Sequence, residues 1–149
     1  MKEAEIEAQF KTFTKAFIKD FGKKPLYDDT INKACTKLLG NKFRGVFPQD
    51  KADLRPGYSV INVDTSKQKG SHWVALYITN KTCYIFDSFG RPSSTLLKIL
   101  TKKLKTKGIK YKDSDRDQNQ KYNSVVCGHQ SMAWLLCAYI YGIRAAMKI

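Results

Sequence analysis

The sequence has no apolar stretch long enough to span a membrane. Its longest nearly unbroken apolar run, Met132–Tyr141, is about half of the ~20 residues that a membrane-spanning helix needs. The first ten residues mix acids and bases and lack the apolar core of a secretory signal. With 42% hydrophobic residues, nine glycines and four prolines, the composition excludes a disordered or collagen-like chain. We therefore expect one soluble globular domain, residues 1–149, that is not secreted.

Cysteine pairs and metal-ligand spacings are also absent. The four cysteines form no C-x-x-C motif and show no zinc-type spacing with the two histidines. We therefore expect neither a disulfide framework nor a metal site. Three cysteines have apolar neighbours, which predicts small core residues; they are Cys35, Cys83 and Cys137. Cys127 differs, because a polar segment precedes it and Gly128 follows it directly.

Acidic residues are few. Thirteen Asp and Glu stand against 27 Lys and Arg, for a formal net charge of +14 and a pI near 9.7. This surplus predicts attraction to polyanions, although a lysine-rich solvated surface has the same composition. Only five of the basic residues are arginine, and lysine lacks the planar fork that recognises guanine edges. Any contact with nucleic acid is therefore expected at backbone phosphates, without sequence preference.

The pattern along the chain predicts helices near both ends and strands between them. The predicted helices are residues 3–21, a second capped by Asp28 or Asp29 and ending near Leu39, a third capped by Ser93 or Ser94 and ending near Lys105, and 127–141. The predicted strands are 58–63, 73–79, 81–86 and 109–112, and residues 43–57 are expected to be loop. We expect an α+β fold, with a central, mostly antiparallel sheet flanked by helices.

Cys127 is a candidate nucleophile, because it stands where a polar loop enters a buried helix. Unpaired N–H groups and the partial positive charge at a helix N-terminus favour a thiolate over a thiol. Gly128 removes a side chain that would crowd an approaching carbonyl. A catalytic thiol needs a base, and His72 and His129 are the two candidates. His129 points about 200° around the same helix, which favours a structural role for it and leaves His72.

His72 and Asp87 are predicted to face each other at the open end of a hairpin. A turn centred on Asn80 places His72, just before one strand, about opposite Asp87, just after the next. A carboxylate there can hold one imidazole nitrogen and leave the other for Cys127. A turn-starting aspartate is the alternative interpretation of Asp87.

In type and order these residues resemble the adenovirus maturation protease family. The matching segments are His72-Trp73, Thr82–Asp87 with Phe89-Gly90, and Gln120 with Cys127-Gly128. The resemblance covers about residues 43–141, and its order of His, acid, Gln and Cys is the reverse of papain's. The ubiquitin-like-protein proteases, which share the fold, are similar more distantly.

The resemblance implies a cysteine endopeptidase that cleaves capsid precursors at Gly-containing sites during virion maturation. The implied catalytic roles are nucleophile for Cys127, base for His72, orienting carboxylate for Asp87 and oxyanion donor for Gln120, with Gln118 as the alternative donor. Trp73 and Gly128 would contact the substrate. No cofactor is implied apart from DNA as an activator.

The sequence departs from the adenovirus enzyme in three ways. Asp87 replaces a glutamate, as in the ubiquitin-like branch. Residues 105–120 contain no cysteine for a disulfide-linked activating peptide, and only 22 residues follow Cys127. These differences favour a reduced enzyme from another virus or mobile element, such as a virophage or a Maverick-type element.

A run of lysines begins on the third predicted helix. Those expected to contact viral DNA through its phosphates, as the resemblance implies, are Lys98, Lys102, Lys103 and Lys105. We expect a monomer that acts on protein substrates in the host cell and the virion, without a membrane partner. Two alternatives stay open: a protease of ubiquitin or a ubiquitin-like modifier, and a non-enzymatic nucleic-acid-binding protein, which the charge alone supports.

Overall fold

The computed structural model describes residues 1–67, 72–115, 119 and 124–149. Within these ranges helices flank a five-stranded sheet. The helices are α1 (Glu3–Phe21), α2 (Asp28–Leu39), α3 (Ser93–Leu96), α4 (Lys98–Thr106), α5 (Cys127–Tyr141) and α6 (Ile143–Ala146). The strands are β1 (Phe43–Pro48), β2 (Gly57–Asn62), β3 (Trp73–Ile78), β4 (Thr82–Phe86) and β5 (Lys110–Asp113).

The sheet is mixed and its strands lie in chain order, from β1 to β5. The central pairs β2–β3 and β3–β4 are antiparallel, whereas β1 runs parallel to β2 and β5 runs parallel to β4. The tight turn after β3 is closed by a hydrogen bond from Thr79 N–H to Thr82 O at 2.8 Å. The far ends of this hairpin therefore lie side by side, and they carry His72 and Asp87. The α+β fold is confirmed, but the sheet is mixed and not mostly antiparallel, because both edge strands run parallel to their neighbours.

Each face of the sheet packs against its own layer of helices. Alternation along β3 directs Val74, Leu76 and Ile78 to one face, where they pack against leucines at the α3–α4 junction and in α4. On the other face, Ala75 and Phe86 join the core formed with α1, α2 and α5. The helix pair α3–α4 and the helix α5 thus cover opposite faces.

Helix α5 is apolar nearly all round because it packs against both the sheet and α1. Its fully buried Trp134 stacks on Phe86 with ring centroids 5.7 Å apart. The indole Nε1–H donates to Ala146 O at 2.9 Å, which satisfies the one polar group of the ring. This packing holds the N-terminus of α5, with Cys127, beside the hairpin ends.

The structure corrects three local expectations. Residues 43–57 contain β1, because its parallel partner β2, the next strand in the chain, supplies hydrogen bonds that no periodicity within β1 reveals. The third helix is two helices broken at Leu97, where φ is −123° and ψ is 54°, and its N-cap is Pro92. Helix α2 has Tyr27 as its N-cap. Asp28 and Asp29 lie in its first turn, where their negative charges interact favourably with the helix dipole.

No helix in the described ranges is long and apolar enough to cross a membrane.

Candidate active site

Cys127 is the first residue of α5, and its thiol is partly exposed, whereas the other three cysteines are buried. Burial raises the pKa of the Cys127 thiol, but a hydrogen bond with His72 and the charge of that imidazole outweigh burial and lower the pKa. The backbone N–H groups of Trp73 and Gly128 add to the lowering. Cys127 is therefore the cysteine whose surroundings favour the thiolate.

His72 lies directly before β3 and is almost wholly buried. Its Nε2 is 2.5 Å from Asp87 Oδ1, which leaves Nδ1 as the ring nitrogen available to Cys127. Burial lowers the pKa of His72, but the hydrogen bonds with Asp87 and Cys127 outweigh burial, and the pKa is raised. The imidazole is therefore held between a carboxylate and a thiol, and each of them favours its protonated form.

The hairpin brings His72 and Asp87 together, although its register is two residues away from one that would pair them directly. Ala75 pairs with Phe86, so continuing the ladder sets His72 opposite Phe89, and their rings stack with centroids 4.9 Å apart. Asp87 reaches the imidazole from the turn after β4, which is closed by Gly90 N–H donating to Asp87 O at 2.9 Å. The expected pair thus forms, but through the turn and not as a cross-strand pair.

Arg91 also belongs to this site, although no motif in the sequence predicts a role for it. Its backbone N–H and its Nε donate to Asp87 Oδ2 at 2.9 and 3.0 Å, and its guanidinium lies 4.8 Å from the centroid of the Phe89 ring. Burial raises the pKa of Asp87, but the hydrogen bonds from His72 and Arg91 outweigh it and lower the pKa to about 2. The signal in the sequence was an arginine four residues after the aspartate, across Gly90.

A carboxylate, an imidazole and a thiol thus form a hydrogen-bonded series of three groups. Asp87 stays ionised at neutral pH and holds the imidazole, and the imidazole can take the proton of Cys127. This arrangement can activate a thiol for attack on a carbonyl carbon and return the proton to a leaving group.

Within the described residues no group of three or more His, Cys, Asp or Glu could hold a metal ion.

Cys127 opens into a cleft with a volume of about 440 Å³. Most of its lining is apolar and comes from the α1–α2 connection, the end of β1 and the first residue of β3. Its apolar lining residues are Pro25, Leu26, Tyr27, Val46, Phe47, Pro48 and Trp73, and its polar ones are Asp28, Asn62, Asp64, Thr65 and Ser66. Trp73 lines this cleft beside the thiol, where a substrate-binding residue is expected.

Gly128 has a packing role in the structure. A Cβ there would lie 3.3 Å from Leu26 Cβ, 3.3 Å from Trp73 Cδ1 and 3.4 Å from Ile31 Cδ1, which is tighter than ordinary contact. The missing side chain therefore lets α5 approach the residues that line the cleft. A direct contact between Gly128 and substrate stays a prediction.

His129 is fully buried, as the sequence analysis expected for a structural residue. Its Nε2–H donates to Gly22 O at 2.8 Å, at the end of α1. Burial lowers its pKa, so the ring is neutral at neutral pH. It is not oriented as a base for Cys127, and it fastens α5 to the segment after α1.

The predicted oxyanion donor Gln120 and its alternative Gln118 lie outside the described residues. Their described neighbour Asn119 is held through both of its backbone polar groups. Its N–H donates to Ser88 O at 2.7 Å, and its O accepts from Gln130 Nε2 at 2.8 Å. Asn119 thus connects the turn after β4 to helix α5.

The lysines predicted to bind DNA are exposed and lie on α4. They are Lys98, Lys102, Lys103 and Lys105. The buried side of the helix is formed by Leu100, Thr101 and Leu104. Lys103 Nζ donates to the carbonyl of Asp50. Because α4 and α5 cover opposite faces of the sheet, these lysines are not part of the Cys127 cleft.

A comparison with protein-family models gives a match to the model described as adenovirus endoprotease, over residues 39–147. This range includes His72, Asp87 and Cys127 and begins at the last residue of α2. None of the curated proteins compared with the chain matches it.

Proposed function

The chain belongs to the adenovirus endoprotease family and is a cysteine protease, and on that premise we propose that it processes capsid precursor proteins with Cys127 as its nucleophile. The observation that carries the assignment of residues is the hydrogen-bonded series from Asp87 through His72 to Cys127. Cys127 is also the partly exposed cysteine and opens into a cleft.

The proposed reaction begins with transfer of the Cys127 proton to His72. The thiolate attacks the carbonyl carbon of the scissile peptide bond, and the imidazolium gives its proton to the leaving amine. Water then hydrolyses the thioester with His72 again acting as base. Asp87 stays ionised throughout and stabilises the imidazolium, as its low pKa supports.

The oxyanion needs donors near Cys127. The backbone N–H of Cys127 is a candidate, because the first N–H groups of a helix have no partner within the helix. We assign the second donor to the side-chain amide of Gln120, on the family resemblance alone. Replacement of Gln120 by alanine would then lower kcat by about 10²–10³-fold.

The substrate is proposed to be a Gly-containing segment of a viral structural precursor, and the enzyme is proposed to act as a monomer in the virion and the infected cell. Glycine at the cleaved bond suits a nucleophile that shares its cleft with the large side chains of Trp73 and Leu26. The apolar cleft supports recognition of neighbouring substrate residues.

The test compares wild type with Cys127→Ala on a peptide library that carries glycine beside the scissile bond and on capsid precursors. Cys137→Ala is the matched control, because it makes the same change farther along α5. We expect cleavage by wild type and by the control and none by Cys127→Ala, with all three folded by circular dichroism. Cleavage retained by Cys127→Ala would refute the assignment. Rapid adduct formation with ubiquitin bearing a C-terminal electrophile would instead identify a deubiquitinase.

We further propose that DNA activates the enzyme by binding the exposed lysines of α4. The support is their exposure together with the net charge of +14. Contacts with phosphates release counterions, so binding should weaken steeply with salt and be independent of base sequence.

Replacement of Lys102, Lys103 and Lys105 together by glutamate tests this proposal. Lys11, Lys15 and Lys19 of α1, also exposed, provide a control triple with the same change of charge. The α4 variant should lose salt-sensitive binding of duplex DNA, whereas the control should keep most of it. Equal loss in both would show that only the total charge matters.

A further inference from the structure

The segment that joins α1 to α2, residues 22–27, lines the cleft that leads to Cys127. We call it the α1–α2 linker. Three of its residues, Pro25, Leu26 and Tyr27, line the cleft together with residues 46–48 at the end of β1. Leu26 is buried, whereas Tyr27 is 76% exposed although it is a large aromatic side chain. An exposed aromatic residue beside a nucleophile is placed to contact what the nucleophile cleaves.

Two ring N–H groups fasten the linker to the elements of the active site. Trp73 Nε1–H donates to Leu26 O at 2.8 Å, and His129 Nε2–H donates to Gly22 O at 2.8 Å. Trp73 directly follows the proposed base, and His129 is on the first turn of the helix that begins with Cys127. The linker is therefore positioned by residues that are themselves held next to the reacting groups.

The absence of a side chain at Gly128 brings the linker still closer. Leu26 Cβ lies 3.3 Å from the place that a Cβ of residue 128 would occupy. Helix α5, β3 and the linker thus meet without a gap at the base of the cleft. A linker so held presents Tyr27 at a defined position.

The linker that forms this part of the cleft precedes, in the sequence, the residues that the family match covers. The match begins at residue 39, whereas α1, the linker and most of α2 precede it. The chemistry therefore resides in the matched part of the chain, and a wall of the substrate cleft is supplied from outside it. Substrate preference can then differ while the catalytic groups stay the same.

We propose that the α1–α2 linker is a specificity-determining element and that Tyr27 contacts a large apolar side chain of the substrate close to the cleaved bond. The inference rests on the proposed protease function. The occupant is an extended polypeptide, because Cys127 itself lines the cleft and the cleft offers both kinds of partner that a peptide needs: apolar side chains of the linker and of β1, and polar groups of Asp28 and of residues 62–66. Burying an apolar substrate side chain against an aromatic ring favours that substrate over one with alanine at the same position.

The experiment measures kcat/KM for glycine-centred peptides in which one leucine replaces alanine at successive positions. Wild type should prefer leucine at one position by about tenfold. Tyr27→Ala should lose most of that preference, mainly through KM, and Tyr27→Phe should keep it. Tyr139→Ala is the control, because Tyr139 is also exposed but does not line the cleft. Iodoacetamide should still alkylate Cys127 in preference to the other cysteines in every variant.

The outcomes separate this inference from the function on which it rests. A leucine preference in Tyr27→Ala equal to that of wild type would overturn the role of Tyr27. Equal loss of preference in Tyr139→Ala would overturn it as well. Absence of cleavage by wild type, with Cys127 still selectively alkylated, would refute the proposed function itself.

Discussion

Replacing Asp87 by asparagine should destabilise the fold and weaken the thiolate at the same time. The carboxylate is buried and its pKa is lowered from 3.8 to about 2, chiefly because His72 and Arg91 donate to it against the cost of burial. A pKa difference of this size corresponds to about 2 kcal/mol of folding free energy. Because the folded pKa is the lower one, this contribution is present above pH 3.8 and is lost as the pH falls towards 2.

Denaturant unfolding at pH 5 measures the first effect, since Asp87 is ionised there and His72 is protonated. Asp87→Asn should lower the free energy of unfolding by about 2 kcal/mol at pH 5. The difference from wild type should shrink as the pH falls from 4 to 2, because wild type loses the same contribution by protonation. Asp53→Asn is a control, because Asp53 also accepts from an arginine, but that arginine, Arg55, is 70% exposed.

The second effect appears in the pH dependence of iodoacetamide alkylation at Cys127. Without the carboxylate, burial lowers the pKa of His72, and a less protonated imidazole stabilises the thiolate less. The midpoint of the alkylation profile should therefore move up by about one pH unit. An alkylation profile of Asp87→Asn that superimposes on that of wild type would refute the reasoning, because Asp87 would then have no effect on the thiol.

Two further predictions concern the same residues. Arg91→Gln should lower kcat/KM by about three- to tenfold, because the hydrogen bond from Arg91 Nε to Asp87 is charge-assisted but the arginine side chain is 36% exposed. The control Arg55→Gln removes an exposed arginine from an ion pair away from the site and should leave kcat/KM unchanged. An equal loss in both variants would contradict the prediction. Mass spectrometry after brief alkylation at pH 7 should find the label on Cys127. Burial raises the pKa of the thiols of Cys35, Cys83 and Cys137 to about 12. Equal labelling of these three cysteines in the folded protein would show that the site does not activate Cys127.

Several features of this protein follow from local sequence patterns, which can be recognised without knowing the tertiary structure. The spacing from Ile6 to Phe21 and the apolar run after Cys127 predict α1 and α5, because helices must bury apolar stripes or surfaces. The hairpin that brings His72 near Asp87 follows from two β-rich runs joined by a short turn. These are interactions between residues close in sequence, so the sequence carries their signal directly.

Other features depend on contacts that no local pattern in the sequence specifies. Strand β1 forms because a parallel partner, β2, supplies its hydrogen bonds, and no periodicity within residues 43–57 reveals that partner. The role of Arg91 depends on the turn that folds its side chain back onto Asp87 and Phe89. The sequence alone predicts which residues carry the candidate chemistry, through their type and order. What surrounds them, from the α1–α2 linker at the cleft to the lysines on the opposite face, is decided by packing, because contacts between distant segments are made only when the whole chain has folded.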